Sequence, residues 1–369
     1  MDPITVFCPN MDCPARGQAG KGTIGVHSRQ DKRWRCRVCR KTFAETKGTA
    51  FYRLHTPVEI LTLVVTLMAH GCPLQALVAA FGFDERTVAA WLERAGRQSR
   101  AVHEHLVEQP RDLGQGQAAE LRVKAQGRIL WMALALMVRT RLGLGGEVSQ
   151  PRDLSLIRRL IKHVRAGALV RRILICTDGL CSDVRVARAT FREPVHSGQR
   201  GRPRLRVWPQ LLIAQVVKRY EKRRVVDIER RVVRGTATRV EQALTASQGA
   251  GVINTAYSER LNATLRERLA SLTRRGRALA RKGVTLEYGM YLIGAVYNCC
   301  TVHESLRLAA TVSQAAVDRT PAMAARITTH CWSVRELLSF HVPPPPWVPP
   351  KRPGRPSRAL QRLIEQWCQ

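Results

Sequence analysis

Four cysteines near the start of the chain place the tightest constraint on how it can fold. Cys8 and Cys13 form a C-x4-C pair, Cys36 and Cys39 form a C-x2-C pair, and a basic segment rich in glycine separates the two pairs. Two short knuckles at this spacing can converge on one tetrahedral ion, and soft thiolates suit Zn²⁺. The pattern predicts a zinc ribbon over residues 1–50 with a structural Zn²⁺ bound by all four cysteines. The alternative is four unrelated buried thiols.

The charge of the chain indicates a polyanionic partner. The 369 residues include 61 Lys and Arg against 28 Asp and Glu, a formal net charge of +33. Nucleic acid is the leading candidate because Lys and Arg that neutralise phosphates release counterions, and the basic residues are spread along the whole chain. Since 45% of the residues are hydrophobic, a wholly disordered basic tail is excluded. We therefore expect folded domains that bind double-stranded DNA.

The apolar segments favour a cytoplasmic protein that is associated with the nucleoid. The longest apolar runs, 60–69 and 129–138, are only about half as long as the roughly 20 residues that a membrane helix needs. The N-terminus lacks the basic region and apolar core of a secretory signal. Eleven cysteines, an odd number, argue against a disulfide framework. No membrane partner is expected.

Three helices are predicted after the cysteine segment, over residues 58–70, 73–81 and 84–97. Gly82 makes a tight turn before the third helix, which Asp84 caps. This order predicts a helix-turn-helix DNA-binding domain over 51–110, whose last helix lies in the major groove. The side chains with access to bases or phosphates then include Arg86, Ala90 and Arg94. An ordinary three-helix bundle is the alternative.

From residue 118 the hydrophobic pattern changes to that of an α/β layer. Strands are predicted at 121–123, 128–138, 141–148, 172–177 and 225–233, with an amphipathic helix at 153–165. Asp178 follows a continuous apolar strand, at the carboxyl end where α/β sheets place ligands, which favours a functional carboxylate. Glu259 lies in a predicted helix, 258–273, among many arginines. It either neutralises those arginines or reaches a metal while they hold DNA.

The order of these parts resembles the insertion-sequence-one family of DDE-class transposases. The resemblance covers residues 5–305 and rests on Cys36-Arg-Val-Cys39-Arg-Lys-Thr-Phe43, the helix-turn-helix, Thr177-Asp178-Gly179 and Ser258-Glu259-Arg260-Leu261-Asn262. It implies a ribonuclease-H-like α/β catalytic domain with a mixed sheet over 118–305. In that family, carboxylates on the first strand, the fourth strand and a late helix hold two Mg²⁺ or Mn²⁺ ions, and Asp178 and Glu259 match the second and third. The ions would support hydrolysis at each transposon end and transfer of the freed 3′-hydroxyl to target DNA.

The first acid of that set is missing. Ala119 stands where the resemblance requires Asp, and Glu120 follows it. Because consecutive strand residues point to opposite faces, Glu120 can replace the acid only through a bulge or a register slip, which we do not expect. The chain is therefore expected to bind terminal inverted repeats but to cleave DNA poorly or not at all. A non-catalytic DNA-binding regulator is the rival interpretation, and a zinc-dependent RNA-binding protein is a third.

Further basic segments are candidate DNA contacts. The stretch 199–204 resembles an AT-hook, in which glycine lies deep in the minor groove between arginines, and a weaker copy spans 351–356. Both can equally be solvated loops. Together with the arginines near Glu259, the predicted contacts are Arg200, Arg202, Arg204, Arg266, Arg274 and Arg275. Residues 306–369 are predicted to form a helical tail rich in Pro and Arg. A homo-oligomer is expected because two transposon ends must be joined, although no coiled-coil heptad marks an interface.

Overall fold

The structure is a computed structural model of the chain. It describes all residues except 1, 170, 180, 197, 199–200, 223, 250, 273–279, 281, 312–314, 350–357 and 368–369. The chain forms two compact units, the first from Met1–Arg53 with His341–Gln369 and the second from Leu54–Phe340. This division differs from the predicted one. The helices that follow the cysteine segment share a unit with the sheet, and the predicted tail is divided between the two units.

The first unit contains a small antiparallel sheet. Its strands, in spatial order, are β1 (Ile24–Ser28), β2 (Arg33–Cys36) and β3 (Thr42–Ala44). Alternation along β2 turns Trp34 and Cys36 inwards and leaves Arg35 exposed. Trp34 and Phe43 pack with the cysteines in the one small core of this region. The cysteines therefore make up much of what this part of the chain buries.

Three helices open the second unit: α1 (Val58–Ala69), α2 (Leu74–Phe81) and α3 (Glu85–Leu106). Gly82 adopts a left-handed φ of 67° after α2, and the Asp84 carboxylate accepts hydrogen bonds from the N–H groups of Arg86 (2.8 Å) and Thr87 (3.2 Å). The predicted end of α3 at residue 97 is wrong. The helix continues because its second half packs against a later helix: a Cβ added at Gly96 would lie 2.4 Å from the Cβ of Tyr288.

A six-stranded mixed sheet forms the centre of the second unit, in the order β11-β10-β7-β4-β5-β6. In chain order the strands are β4 (Gly114–Ala125), β5 (Arg128–Met137), β6 (Gly143–Ser149), β7 (Ile173–Asp178), the separate hairpin β8 (Arg192–Val195) and β9 (Arg204–Val207), β10 (Leu211–Glu221) and β11 (Arg224–Arg234). Strand β7 is parallel to both of its neighbours, β4 and β10, and the other pairs are antiparallel. The predicted mixed α/β sheet is confirmed, but β10 was not predicted.

Helices cover both faces of this sheet. On one face lie α4 (Leu154–Ala166) and α5 (Cys181–Thr190), and on the other lie α6 (Ala237–Gln248), α7 (Ala256–Arg268) and α8 (Gly283–Cys299). Buried Leu156, Leu160 and Ile161 of α4 recur at helical spacing and pack on the sheet. The remaining helices are α9 (Pro321–Ala324), α10 (Val334–Ser339) and α11 (Arg358–Trp367). Within the described ranges, no helix has both the length and the apolarity needed to cross a membrane.

Candidate functional site

The four cysteines of the predicted ribbon meet in the first unit, and we call them the cysteine cluster: Cys8, Cys13, Cys36 and Cys39. The Sγ atoms of Cys8 and Cys39 are 3.7 Å apart, those of Cys13 and Cys36 are 3.8 Å apart, and all four lie within 4.8 Å of one another. Four sulfurs placed tetrahedrally at the usual Zn–S distance of about 2.3 Å are separated by about 3.8 Å. The cluster could therefore hold a metal such as zinc.

The backbone around the cysteine cluster favours a thiolate at one corner. Burial raises the pKa of the Cys8 thiol. At Cys39 burial acts in the same direction, but the backbone N–H of Lys41 and the side chain of Asn10 outweigh it and lower the pKa to about 7. Metal binding requires the thiolate, so Cys39 is the ligand that is easiest to deprotonate.

A second cluster lies at the carboxyl end of β7, a central strand of the large sheet. Asp178, at the end of β7, and Glu259, in the first turn of α7, line one cavity of about 630 Å³ together with Ala119, Lys218 and Arg266. We call this the acidic cavity. Two carboxylates that are 81 positions apart in sequence (259 − 178) thus face a shared space.

Strand register explains why Ala119 lies beside Asp178. Strand β4 runs parallel to β7 with Gln117 opposite Cys176, and two further residues along each strand bring Ala119 next to Asp178 on the same face. Ala119 is buried there. The methyl group therefore occupies the place that the resemblance assigns to the first acid.

Gln117 connects β4 to the start of α7 and so positions Glu259. Its Oε1 accepts hydrogen bonds from the N–H groups of Tyr257 (3.1 Å) and Ser258 (3.0 Å), and its Nε2 donates to the backbone oxygen of Asn254 (2.8 Å). N–H groups in the first turn of a helix have no partner within the helix, which makes a buried amide oxygen a suitable acceptor. The orientation of α7, and with it Glu259, is set by this contact.

A lysine from β10 balances the charge of the two acids. Lys218 Nζ donates to Glu259 Oε1, which also accepts a hydrogen bond from Thr255 Oγ1 at 3.2 Å. Burial raises the pKa of Asp178, Lys218 acts to lower it, and Glu259 acts to raise it. Asp178 Oδ1 is buried without a hydrogen-bond partner among the described residues. The cavity is thus lined by the carboxylates of Glu120, Asp178 and Glu259 and by the cationic side chains of Lys218 and Arg266.

These residues do not fit the two-metal centre that the resemblance implies. Among the described residues, the cysteine cluster is the only group of three or more His, Cys, Asp or Glu side chains close enough to hold one ion. In the acidic cavity Ala119 stands where the resemblance implies a third acid, and Lys218 already contacts Glu259. Divalent cations need several oxygen ligands, so this arrangement does not support a metal-dependent step.

Glu120 points away from Ala119, as the strand alternation predicts. Its carboxylate is paired with Arg152, and the guanidinium of Arg152 lies over the Trp131 ring at 4.7 Å, on the side of the sheet covered by α4. Asp183 lies close by: burial, followed by repulsion from Glu120 and Asp178, raises its pKa to about 7. Glu120 also lines the acidic cavity, but its carboxylate is paired with Arg152.

The predicted DNA contacts are distributed over several elements. Arg86 and Ala90 are exposed on α3 and Arg94 is half-buried on the same helix. Arg202 and Arg204 are exposed, and Arg204 belongs to β9, opposite Val195 of β8, so that the AT-hook-like stretch enters a hairpin. Arg266 lines the acidic cavity. Arg200, Arg274, Arg275 and the segment 351–356 lie outside the described residues.

The sequence analysis missed Lys218, which lines this cavity, and Gln117, which positions α7. The run 211–217 after Pro209 and Gln210, apolar except for Gln215, is a strand pattern that could have revealed β10. Nothing local marks Gln117, because its role depends on a contact with residues 254–258.

Comparison of the sequence with models of protein families finds no match, and comparison with curated proteins finds none either.

Proposed function

We propose that this chain is a DNA-binding protein with the architecture of an insertion-sequence DDE transposase, and that its catalytic centre is impaired. It would bind terminal inverted repeats through the cysteine cluster and α3. Cleavage of the DNA strand would be weak or absent because Ala119 replaces an acidic ligand. Two features carry the proposal: the position of the acids in the sheet and the charge of the chain.

The position of the acids is the stronger of the two. In chain order β4 is the first strand of the large sheet and β7 the fourth, and Asp178 ends β7 while Glu259 lies on a later helix. This is the order of a ribonuclease-H-like domain, with Ala119 in place of the acid on the first strand. The shared cavity of Asp178, Glu259 and Ala119 is the observation that carries the catalytic-domain part of the proposal.

The helices α2 and α3 support the DNA-binding part of the proposal. They are joined by the three residues 82–84, a length typical of a helix-turn-helix, and Arg86 and Ala90 are exposed on the face that would enter the groove. A net charge of +33 would favour any duplex through counterion release.

A non-catalytic regulator derived from a transposase is the second candidate. Lys218 favours it specifically, because an ammonium group next to Glu259 neutralises the charge that a divalent cation would otherwise neutralise. Both candidates bind DNA, and only strand cleavage separates them.

Competition binding tests the proposal. Labelled duplex DNA is bound to the full chain and displaced with unlabelled duplex DNA or with double-stranded RNA of the same length. DNA should compete more strongly. Arg86→Ala should weaken binding and reduce the slope of log K against log salt by about 1 if Arg86 contacts a phosphate. Arg158→Ala, which removes an exposed arginine from α4, is the matched control and should leave that slope unchanged.

Two results would overturn the proposal. One is RNA that competes as well as DNA, and the other is an Arg86→Ala variant that matches the Arg158→Ala variant. Incubation of a duplex with the wild-type chain and Mg²⁺ or Mn²⁺ then separates the two candidates: residual cutting favours an impaired transposase, and none favours the regulator.

A further inference from the structure

Strand β11 forms one edge of the large sheet and exposes an unusual amount of apolar surface. It pairs with β10 on one side, and no described strand pairs with its other side. Its five apolar side chains are 37% to 50% exposed: Val225, Val226, Ile228, Val232 and Val233. An edge of eleven residues with unpaired N–H and C=O groups is a template for pairing with a further strand.

The sequence of β11 is nearly symmetric about its centre. It reads Arg-Val-Val-Asp-Ile-Glu-Arg-Arg-Val-Val-Arg, and its first three residues mirror its last three around Glu229. In a regular antiparallel pair of two such strands centred on Glu229, Val225 lies opposite Val233, Val226 lies opposite Val232, and Asp227 lies opposite Arg231 at two places. The register of β11 against β10 shifts at Val226 and Val233, so the regular part of the strand is 227–232. Glu229 then faces its own copy and Arg224 faces Arg234, so the charge match lies in the two Asp227–Arg231 pairs.

The register with β10 puts the two charged partners on the same face of the sheet. Asp227 lies opposite Arg219, and Arg231 lies opposite Gln215, four positions away on each strand. Residues separated by an even number of positions share a face. A two-fold axis perpendicular to the sheet therefore keeps Asp227 of one copy and Arg231 of the other on one face, within cross-strand distance.

We propose that β11 pairs antiparallel with β11 of a second copy of this chain, on a two-fold axis at Glu229. The two sheets then form one continuous sheet of twelve strands, six from each copy. Pairing satisfies the free backbone groups of the edge and covers the exposed valines of both copies. The two Asp227–Arg231 pairs favour this register. Pairing of the two edges does not involve DNA.

Exposed edges are often guarded by charged side chains, and the arginines of β11 have this effect in a monomer. The pairing of Asp227 with Arg231 distinguishes a protected edge in a monomer from a paired edge in a dimer. Charged side chains that only protect an edge do not need to match one another in position. A test of that match is therefore a test of the dimer.

Sedimentation velocity of the full chain without DNA tests the proposal. The wild type should sediment as a dimer. Val225→Lys with Val233→Lys should shift it to a monomer, because four ammonium groups then line the joint. Val252→Lys, at a residue 56% exposed and outside β11, is the matched control and should remain a dimer.

A charge exchange sharpens the test. Asp227→Arg alone and Arg231→Asp alone should each raise the dissociation constant of the dimer roughly tenfold, since each puts like charges opposite one another at two places. An equimolar mixture of these two variants should recover the dimer, because arginine then faces aspartate at both places. Arg231 also donates to Gln215 in its own chain, so thermal unfolding of each variant is measured in parallel.

Three results would overturn the proposal: a monomeric wild type, a Val225→Lys and Val233→Lys variant that dimerises as the wild type does, or folded charge variants that fail to recover the dimer when mixed. Loss of DNA binding with an intact dimer would instead count against the proposed function.

Discussion

The cysteine cluster of the first unit and the acidic cavity of the second differ in what balances their charge. In the cysteine cluster four sulfurs lie within 4.8 Å of one another, and each is a ligand of the kind that one metal ion could take up. In the acidic cavity Lys218 already contacts Glu259, and Ala119 contributes only a methyl group.

The difference shows that two properties decide how much a cluster of metal-type ligands gains from a metal ion. One is the number of ligands, and the other is whether a cationic side chain already lies beside them. Four converging thiolates repel one another, and a bound metal ion would relieve that repulsion. In the acidic cavity Lys218 already offsets part of the charge of the carboxylates. An external cation would therefore stabilise the first cluster more than the second.

Loss of one cysteine should have the largest effect. Cys36→Ser removes a buried ligand, and because structural zinc contributes about 10–16 kcal/mol in small zinc domains, the region around β1–β3 should lose its fold. Zinc content by mass spectrometry and amide hydrogen exchange of residues 1–53 measure the effect. Cys331→Ser, at an exposed thiol, is the control. Unchanged protection of β2 in Cys36→Ser would contradict the role of the metal.

Adding an acid at position 119 should convert the acidic cavity into a cation site. Ala119→Asp combined with Lys218→Ala removes the internal cation and adds a ligand, and the affinity for Mn²⁺ should rise on the order of a hundredfold because ligand charge sets that affinity. The signal of free Mn²⁺ in electron paramagnetic resonance reports binding, and cleavage of a duplex is the second measurement.

Ala118→Asp with Lys218→Ala is the matched control for that experiment, since residue 118 packs towards the face covered by α4. Equal Mn²⁺ binding and equal, robust cleavage in the wild type and in Ala119→Asp would show that the centre is complete as it stands.

His163 is a third place where a cation lies between acidic groups, and this cation loses its charge as the pH rises. Hydrogen bonds to Glu108 (2.6 Å) and Glu147 (2.8 Å) raise the pKa of His163 to about 9, from an ordinary 6.5. The imidazolium therefore stabilises the fold fully below pH 6.5, and this stabilisation is lost as the pH rises through about 9.

The free energy of unfolding should accordingly fall by about 2 to 3 kcal/mol between neutral pH and pH above that pKa. His163→Gln should show a smaller fall over the same range, because its side chain does not titrate. Urea unfolding at several pH values compares the two, and parallel curves would argue against a charged His163.

The smallest effect is expected at Thr255. Thr255→Val removes the hydroxyl that donates to Glu259 Oε1 and should lower the free energy of unfolding by about 1 kcal/mol. Thr264→Val, where the hydroxyl only bonds to a backbone oxygen of the exposed helix α7, is the control. Equal stability of the two variants would mean that Lys218 alone holds Glu259.

Local patterns predicted much of the fold. The spacing of the cysteines was sufficient to predict the cysteine cluster, and the apolar run before Asp178 was sufficient to predict β7, because the residues that form each pattern are themselves buried. The end of α3 was predicted too early, since Gln98 and Ser99 are polar yet buried: α3 packs against α8, and Gln98 donates to the backbone oxygen of Phe340. The absence of an acid at Ala119 was predicted, whereas the lysine that compensates was not.

The amino-acid sequence by itself determined the four thiols, the strongly basic charge, the α/β pattern and the alanine at position 119, because these depend on residue type and on short-range periodicity. Only the tertiary structure decided that Lys218 meets Glu259, that Glu120 pairs with Arg152, and that strand β11 lies at an edge of the sheet. Each of those facts depends on which strands are neighbours, and strand order is fixed by contacts between residues far apart in the chain.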